Sequence, residues 1–360
     1  MQVSRRVLSA GALAAMAALA SPLRASAAQA VAFGGTVKPK IDPLDFVDPE
    51  LRASAQAQLS QPLPTLTVEG LPALRAMWPV PDPLPAPTVV ERLVPGMSGA
   101  PPVAVQVIGQ VQGDRRRPAV LHIHGGGMIS GRAKNLTPFC QELASRFDCL
   151  VVNVDYRLAP EAPFPGPVQD LYAALKWLHD EAETLGVDHD RIAVMGESAG
   201  GGLAALLAIM ARDRGEVPIC LQVMLYPMLD DRTGSVGAVP DHIGAIGWNA
   251  AANAFGWSAF LGVPAGSAAV PIAAVPARVA DLTGLAPAFI GVGAIDLFVE
   301  EDIDYARRLV TAGVPTTLVV APGAYHAFDF VVPQARVSRD FTQAWQAALA
   351  AAFGQTEPAR

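Results

Sequence analysis

Five residues constrain this chain more than any others: Gly196-Glu197-Ser198-Ala199-Gly200. They follow the apolar run Ile192–Met195 and precede an Ala- and Leu-rich stretch from Gly201. A serine at so sharp a strand-to-helix turn has strained backbone, and only small neighbours, here Gly196 and Gly200, let the turn close. Taken alone, G-x-S-x-G also fits a plain glycine-rich turn. The strand before it and the helix after it argue against that reading. The rest of the chain repeats the same alternation. Short apolar runs recur at 119–123, 150–154, 221–225, 288–292 and 317–320, with helical patterns at 137–147, 167–185, 200–213 and 300–312. Continuous apolar runs between amphipathic helices indicate an α/β fold with a mostly parallel sheet covered on both faces. The composition supplies the core, at 51% hydrophobic and 16% charged residues over 360.

The flanking segments read differently. Residues 42–78 form helices, with a start at Asp48-Pro49-Glu50 and apolar Leu51, Ala55 and Leu59 at helical spacing. Eight prolines between 79 and 102 forbid regular helix there, so this stretch is an extended connector with an edge strand near Thr88–Val94. Val103, Val105 and Val107 alternate as a half-buried strand would. Residues 227–285, rich in Ala, Gly, Trp and Phe, are an insertion between two strands, expected to be mostly helical and packed over the end of the sheet. At the N-terminus, Arg5-Arg6, an apolar stretch from Val7 to Ala20 and Ala25-Ser26-Ala27 resemble a twin-arginine export signal over residues 1–27. The expectation is an exported, periplasmic or secreted protein. A net charge of −7 speaks against a nucleic-acid partner, and no apolar run reaches the roughly 18 residues of a stable membrane span. Cys140, Cys149 and Cys220 lack metal spacing; they read as small buried apolar side chains, with Cys140–Cys149 the nearest pair should any bridge form.

Chemistry concentrates at the strand ends. A nucleophilic Ser198 needs a base, and the base needs an orienting carboxylate. Of the six histidines only His326, just after the last apolar run, follows a carboxylate in the C-terminal third. Asp296 is the first carboxylate beyond the run Ala288–Val292, and Glu300, Glu301, Asp302 and Asp304 read as charges of a helix's first turn. His124-Gly125-Gly126-Gly127 follows the strand Ala119–Ile123. Attack by serine on a carbonyl puts negative charge on its oxygen, and backbone N–H groups preset around that oxygen are worth roughly 10²–10³ in rate each. Gly126, Gly127 and Ala199 are the candidate donors, with Gly125 beside them. A phosphate loop would end in Lys-Ser/Thr, which is absent, and a metal pair at His122 and His124 has no evident third ligand. His124 is expected to brace the loop and His122 to be a satisfied strand residue. Glu161 and Glu197 fit equally a polar network around the turn or ordinary solvated carboxylates.

These motifs resemble the hormone-sensitive-lipase-like branch of the α/β-hydrolases, the bacterial family IV esterases. The likeness covers residues 42–350 and includes Tyr156-Arg157-Leu158-Ala159-Pro160-Glu161-Ala162-Pro163-Phe164-Pro165 as well as the motifs above. It implies one α/β-hydrolase domain with a cap from 42–78 and 227–285. It further implies a serine esterase for short acyl or aryl esters, acting through Ser198, Asp296 and His326 without cofactor or metal. Its partner would be a small ester, and its state a monomer or homodimer. Cap aromatics Trp248, Phe255, Trp257 and Phe260 would then shape the pocket. Met128, Asp296-Leu297-Phe298 without the usual Pro after the acid, Ala327 and Glu197 depart from the family's usual residues and bear on pocket shape. An amidase or carbamate hydrolase on the same residues, or a non-catalytic receptor, is the alternative. A peptidase with a large N-terminal propeller does not fit in this length.

Overall fold

The computed structural model describes residues 41–97, 99–111 and 115–355. The expected export signal at 1–27 lies outside them. Eight strands form one sheet: β1 Val89–Val94, β2 Val103–Ile108, β3 Arg117–Ile123, β4 Leu150–Asp155, β5 Val187–Glu197, β6 Leu221–Leu225, β7 Ala288–Gly293 and β8 Thr316–Ala321. Their order is β1-β2-β4-β3-β5-β6-β7-β8. β2 runs antiparallel to β1 and β4, and every other pairing is parallel.

Successive side chains of a strand point to opposite faces, so each continuous apolar run feeds two cores at once. Leu121, Val152, Val194, Met224 and Ile290 join one core cluster. Their neighbours Val120, Val151, Ala193, Val223 and Phe289 join the other. The first is closed by α4 Gly166–Asp180, α6 Ala199–Arg214 and α8 Val299–Thr311, the second by α3 Thr137–Arg146 and α10 Arg336–Ala352. The remaining helices are short: α1 Arg52–Ser60, α2 Leu71–Ala76, α5 Ala182–Leu185, α7 Ala250–Leu261 and α9 Phe328–Val331. Among the described residues, no helix is long and apolar enough to cross a membrane.

Three expectations change. β2 is covered on both faces, because Gln106 is buried and accepts hydrogen bonds from Thr137 Oγ1 (2.9 Å) and Asn153 Nδ2 (3.1 Å). The alternation there marks a buried polar link, not a wet face. β8 is an edge strand, with Leu318 and Val320 exposed despite its apolar sequence. The insertion at 227–285 is mostly irregular: its one α-helix is α7, joined by two 3₁₀ turns of three residues each. Prolines at 227, 240, 264, 271 and 276 break the helical composition into turns. Cys140, Cys149 and Cys220 are all free, the first two buried.

Candidate active site

β5 ends at Glu197 and α6 begins at Ala199, so Ser198 alone makes the turn, at φ 56° and ψ −121°. Two backbone hydrogen bonds, to the last residue of β6 and to the segment after it, set its place. Ser198 N donates to Leu225 O of β6 (2.8 Å), and Met228 N donates to Ser198 O (3.0 Å). The flanking glycines are a steric necessity. A Cβ on Gly200 would stand 2.0 Å from Ile123 O, and one on Gly196 would stand 2.4 Å from Gly200's carbonyl.

The ends of β5, β7 and β8 then bring the expected residues together. Ser198 Oγ donates to His326 Nε2 at 3.0 Å, and His326 Nδ1 donates to Asp296 Oδ2 at 2.8 Å. Asp296 is fully buried, and its Oδ1 accepts from Phe298 N at 3.0 Å. The His326 ring is held edge-on between Tyr226 (5.0 Å between centroids) and Phe298 (5.3 Å). Ala327 takes a left-handed conformation, φ 59° and ψ 26°, as the chain turns from His326 into α9.

The glycine loop after β3 lies against the same turn. Gly125 approaches so closely that a Cβ on it would meet Glu197 O at 2.9 Å and Ser198 Cβ at 3.4 Å. Gly126 and Gly127 have φ of 114° and 63° and line the same cavity as Ser198. The N–H groups of Gly126, Gly127 and Ala199 donate to no acceptor among the described residues, which leaves them free to hold an anionic oxygen. His124 braces the loop: its Nδ1–H donates to Gly125 O (2.8 Å), and Tyr156 stacks on the ring and donates to His124 O (2.9 Å). Burial pushes this imidazole down to about 4, so it is neutral at pH 7.

His122 and Glu197 form a buried pair. His122 Nδ1 meets Asn153 Oδ1 at 2.9 Å, and its Nε2 meets Glu197 Oε1 at 3.0 Å. Burial alone would depress the His122 ring; Cys140 and Glu197 beside it outweigh burial and raise it well above the ordinary imidazole value. Glu197 thus belongs to a polar network under the turn. Glu161 does not. It is exposed and paired to Arg75 of α2 through Oε1 (2.7 Å) and Oε2 (2.8 Å), which lowers it to about 2. Arg75 also donates to Ile129 O beyond the glycine loop (2.8 Å), a tie that sequence pattern does not reveal. Glu301 and Asp302 stand in the first turn of α8 as expected, and both are buried there. Glu301 Oε1 accepts from Leu229 N and Asp230 N, while Asp302 has no partner on either oxygen among the described residues, and burial raises both acids well above their ordinary values. Glu300 and Asp304 stay exposed.

A cavity of about 460 Å³ opens over Ser198. Its lining includes Leu59, Leu63 and Trp78 from the N-terminal region, Trp248 of the insertion, and Phe330 and Val331 of α9. Phe255, Trp257 and Phe260 pack in or against the core instead. Glu197 is the one carboxylate among the described lining residues, and none is Lys or Arg. No group of three or more His, Cys, Asp or Glu among the described residues is arranged to hold a metal.

A family profile described as the alpha/beta hydrolase fold matches residues 120–330, the span that carries the turn, the glycine loop and the Ser–His–Asp hydrogen bonds. The chain belongs to the α/β-hydrolases, in their hormone-sensitive-lipase-like branch. It is similar to carboxylesterase NlhH of Mycobacterium tuberculosis, 35% identical over 73% of this chain and 83% of that protein. It also resembles esterase LipI of the same organism, 36% identical over 59% of this chain and 65% of LipI, slightly under two thirds of that relative's length. Among solved structures, one titled Bacterial Heroin Esterase superposes with a TM-score of 0.76 at 35% identity, covering 87% of this chain and 99% of that one.

Proposed function

We propose that this α/β-hydrolase is a carboxylic ester hydrolase that works by acyl transfer through Ser198. The observation that carries the reading is the unbroken hydrogen-bond chain from Ser198 through His326 to Asp296 at the floor of an apolar cavity. The similarity to proteins named carboxylesterase and esterase supports it. In the mechanism, His326 takes the Ser198 proton as the oxygen attacks the substrate carbonyl. Asp296 keeps Nδ1 protonated, so Nε2 is the basic atom, and steadies the imidazolium that forms. The N–H groups of Gly126, Gly127 and Ala199 bind the oxyanion, with Gly125 giving the loop its close approach. His326 then hands its proton to the departing alcohol, and water repeats the sequence on the acyl-enzyme. A cavity of this size, without Lys or Arg in its described lining, suits uncharged esters with short acyl or aryl groups.

The test is release of p-nitrophenol from acetate, butyrate, octanoate and palmitate esters, beside Ser198→Ala. Turnover of the short esters that falls by at least about 10⁴-fold in the variant supports the reading. Folded wild-type protein that turns over none of them overturns it.

A further inference from the structure

We propose that Trp248 sets the length of acyl chain the site accepts, an inference that rests on the ester-hydrolase reading above. Residues 244–248 of the insertion run across the site and touch each of its loops in turn. Gly244 N donates to Ile295 O beside the acid (3.0 Å). Gly247 backs onto His326, where a Cβ would meet the histidine's Cβ at 3.2 Å. Trp248 then lies on Gly127, so close that a Cβ there would stand 2.4 Å from the indole. The other end of the ring is pinned. Its Nε1 donates to Asn253 Oδ1 (3.2 Å), and the fully buried Asn253 in turn donates to Thr233 O (2.9 Å). An aromatic ring anchored by its polar end makes a rigid apolar wall at little entropic cost.

Reaction geometry decides which part of the substrate meets that wall. The carbonyl oxygen must face the donors of Gly126, Gly127 and Ala199. The leaving oxygen must reach His326 Nε2 to be protonated. The acyl chain takes a further direction, and in this assignment the Trp248 indole, which lines the same cavity, bounds it. Met128, the next residue, is fully buried in the core and lends no wall to the pocket.

The experiment compares the full chain with Trp248→Ala and Trp248→Phe on two substrate series. One is p-nitrophenyl acetate, butyrate, octanoate and decanoate; the other is ethyl, butyl and octyl acetate. In Trp248→Ala the octanoate-to-butyrate ratio of kcat/KM should rise roughly tenfold or more, the usual worth of at least one accommodated methylene. Trp248→Phe, which shortens the ring and loses the Asn253 bond, should shift the ratio in the same direction by less. The octyl-to-ethyl ratio in the acetate series should stay within twofold. A uniform fall across the p-nitrophenyl series, or a shift confined to the alkyl acetates, would overturn the assignment. Circular dichroism checks folding, and where Trp248→Ala does not fold, the Trp248→Phe ratio decides alone. Wild type without ester turnover removes the underlying reading, whereas turnover with unchanged ratios removes only the gate.

Discussion

Replacing Asp329 by Asn tests how the buried polar groups near His326 shape stability. Asp329 sits in α9, three residues beyond His326, beside the pocket residues Phe330 and Val331. Its side chain is buried, and among the described residues Oδ1 has no hydrogen-bond partner. Burial pushes the carboxyl from an ordinary 3.8 up to about 7; the facing Tyr226 hydroxyl offsets part of this and Glu197 adds to it. An acid held more tightly protonated in the folded state contributes fully below the unfolded value. That contribution drains away as pH rises through 3.8 towards 7. A displacement of about three units, at about 1.4 kcal/mol each, comes to about 4 kcal/mol. Asn keeps the shape and one acceptor and cannot ionise. Asp329→Asn should therefore gain on wild type by about 4 kcal/mol between pH 4 and pH 8, most of it below pH 7. Urea unfolding followed by tryptophan fluorescence at half-unit pH steps measures the difference. Parallel stability profiles for the two proteins would refute the argument, since they would mean that Asp329 carries the same charge folded and unfolded.

Ala327→Gly should raise stability by about 0.5–1 kcal/mol, because relief of a left-handed Ala outweighs the extra freedom glycine gives the unfolded chain. A rise in Tm with ester turnover kept within twofold checks this, and a lower Tm contradicts it. Gly200→Ala should do the opposite. Its Cβ would press on Ile123 O and His124 O, cost about 1–3 kcal/mol by overpacking and lower kcat at least about 100-fold by moving Ser198 off the glycine loop. Steady-state kinetics beside a urea melt would separate the two effects.

How much of this was legible in the sequence depended on how local its cause was. Gly196 to Gly200 announce their turn because the steric reason lies within five residues. The apolar runs announce the sheet because burial on both faces leaves few polar positions in a strand, and such exceptions as His122 and Asn153 pair with each other. Asp296 and His326 followed from chain order after Ser198. Arg75 gave no such sign, since its partners Ile129 and Glu161 lie far along the chain and an arginine in a short amphipathic helix reads as a solvated face. Glu301 and Asp302 were legible as first-turn acids of α8 but not as buried ones: only the fold brings Leu229 N and Asp230 N onto Glu301. α10 was absent from the expected helices, although with α3 it closes one face of the sheet. The insertion's Ala content suggested helix, and its prolines and glycines decided otherwise.

The run from Gly244 to Trp248 gives the insertion a second role. Loops between strands are where a fold of this kind tolerates changes of length. Here that tolerance has a limit, because one short segment packs against the acid, base and glycine loops at once. Grafting the corresponding segment from a relative would transplant more than a pocket. It would carry over that relative's alignment of reacting groups, so a swap that preserves residues 240–250 should be the more forgiving starting point for redesign.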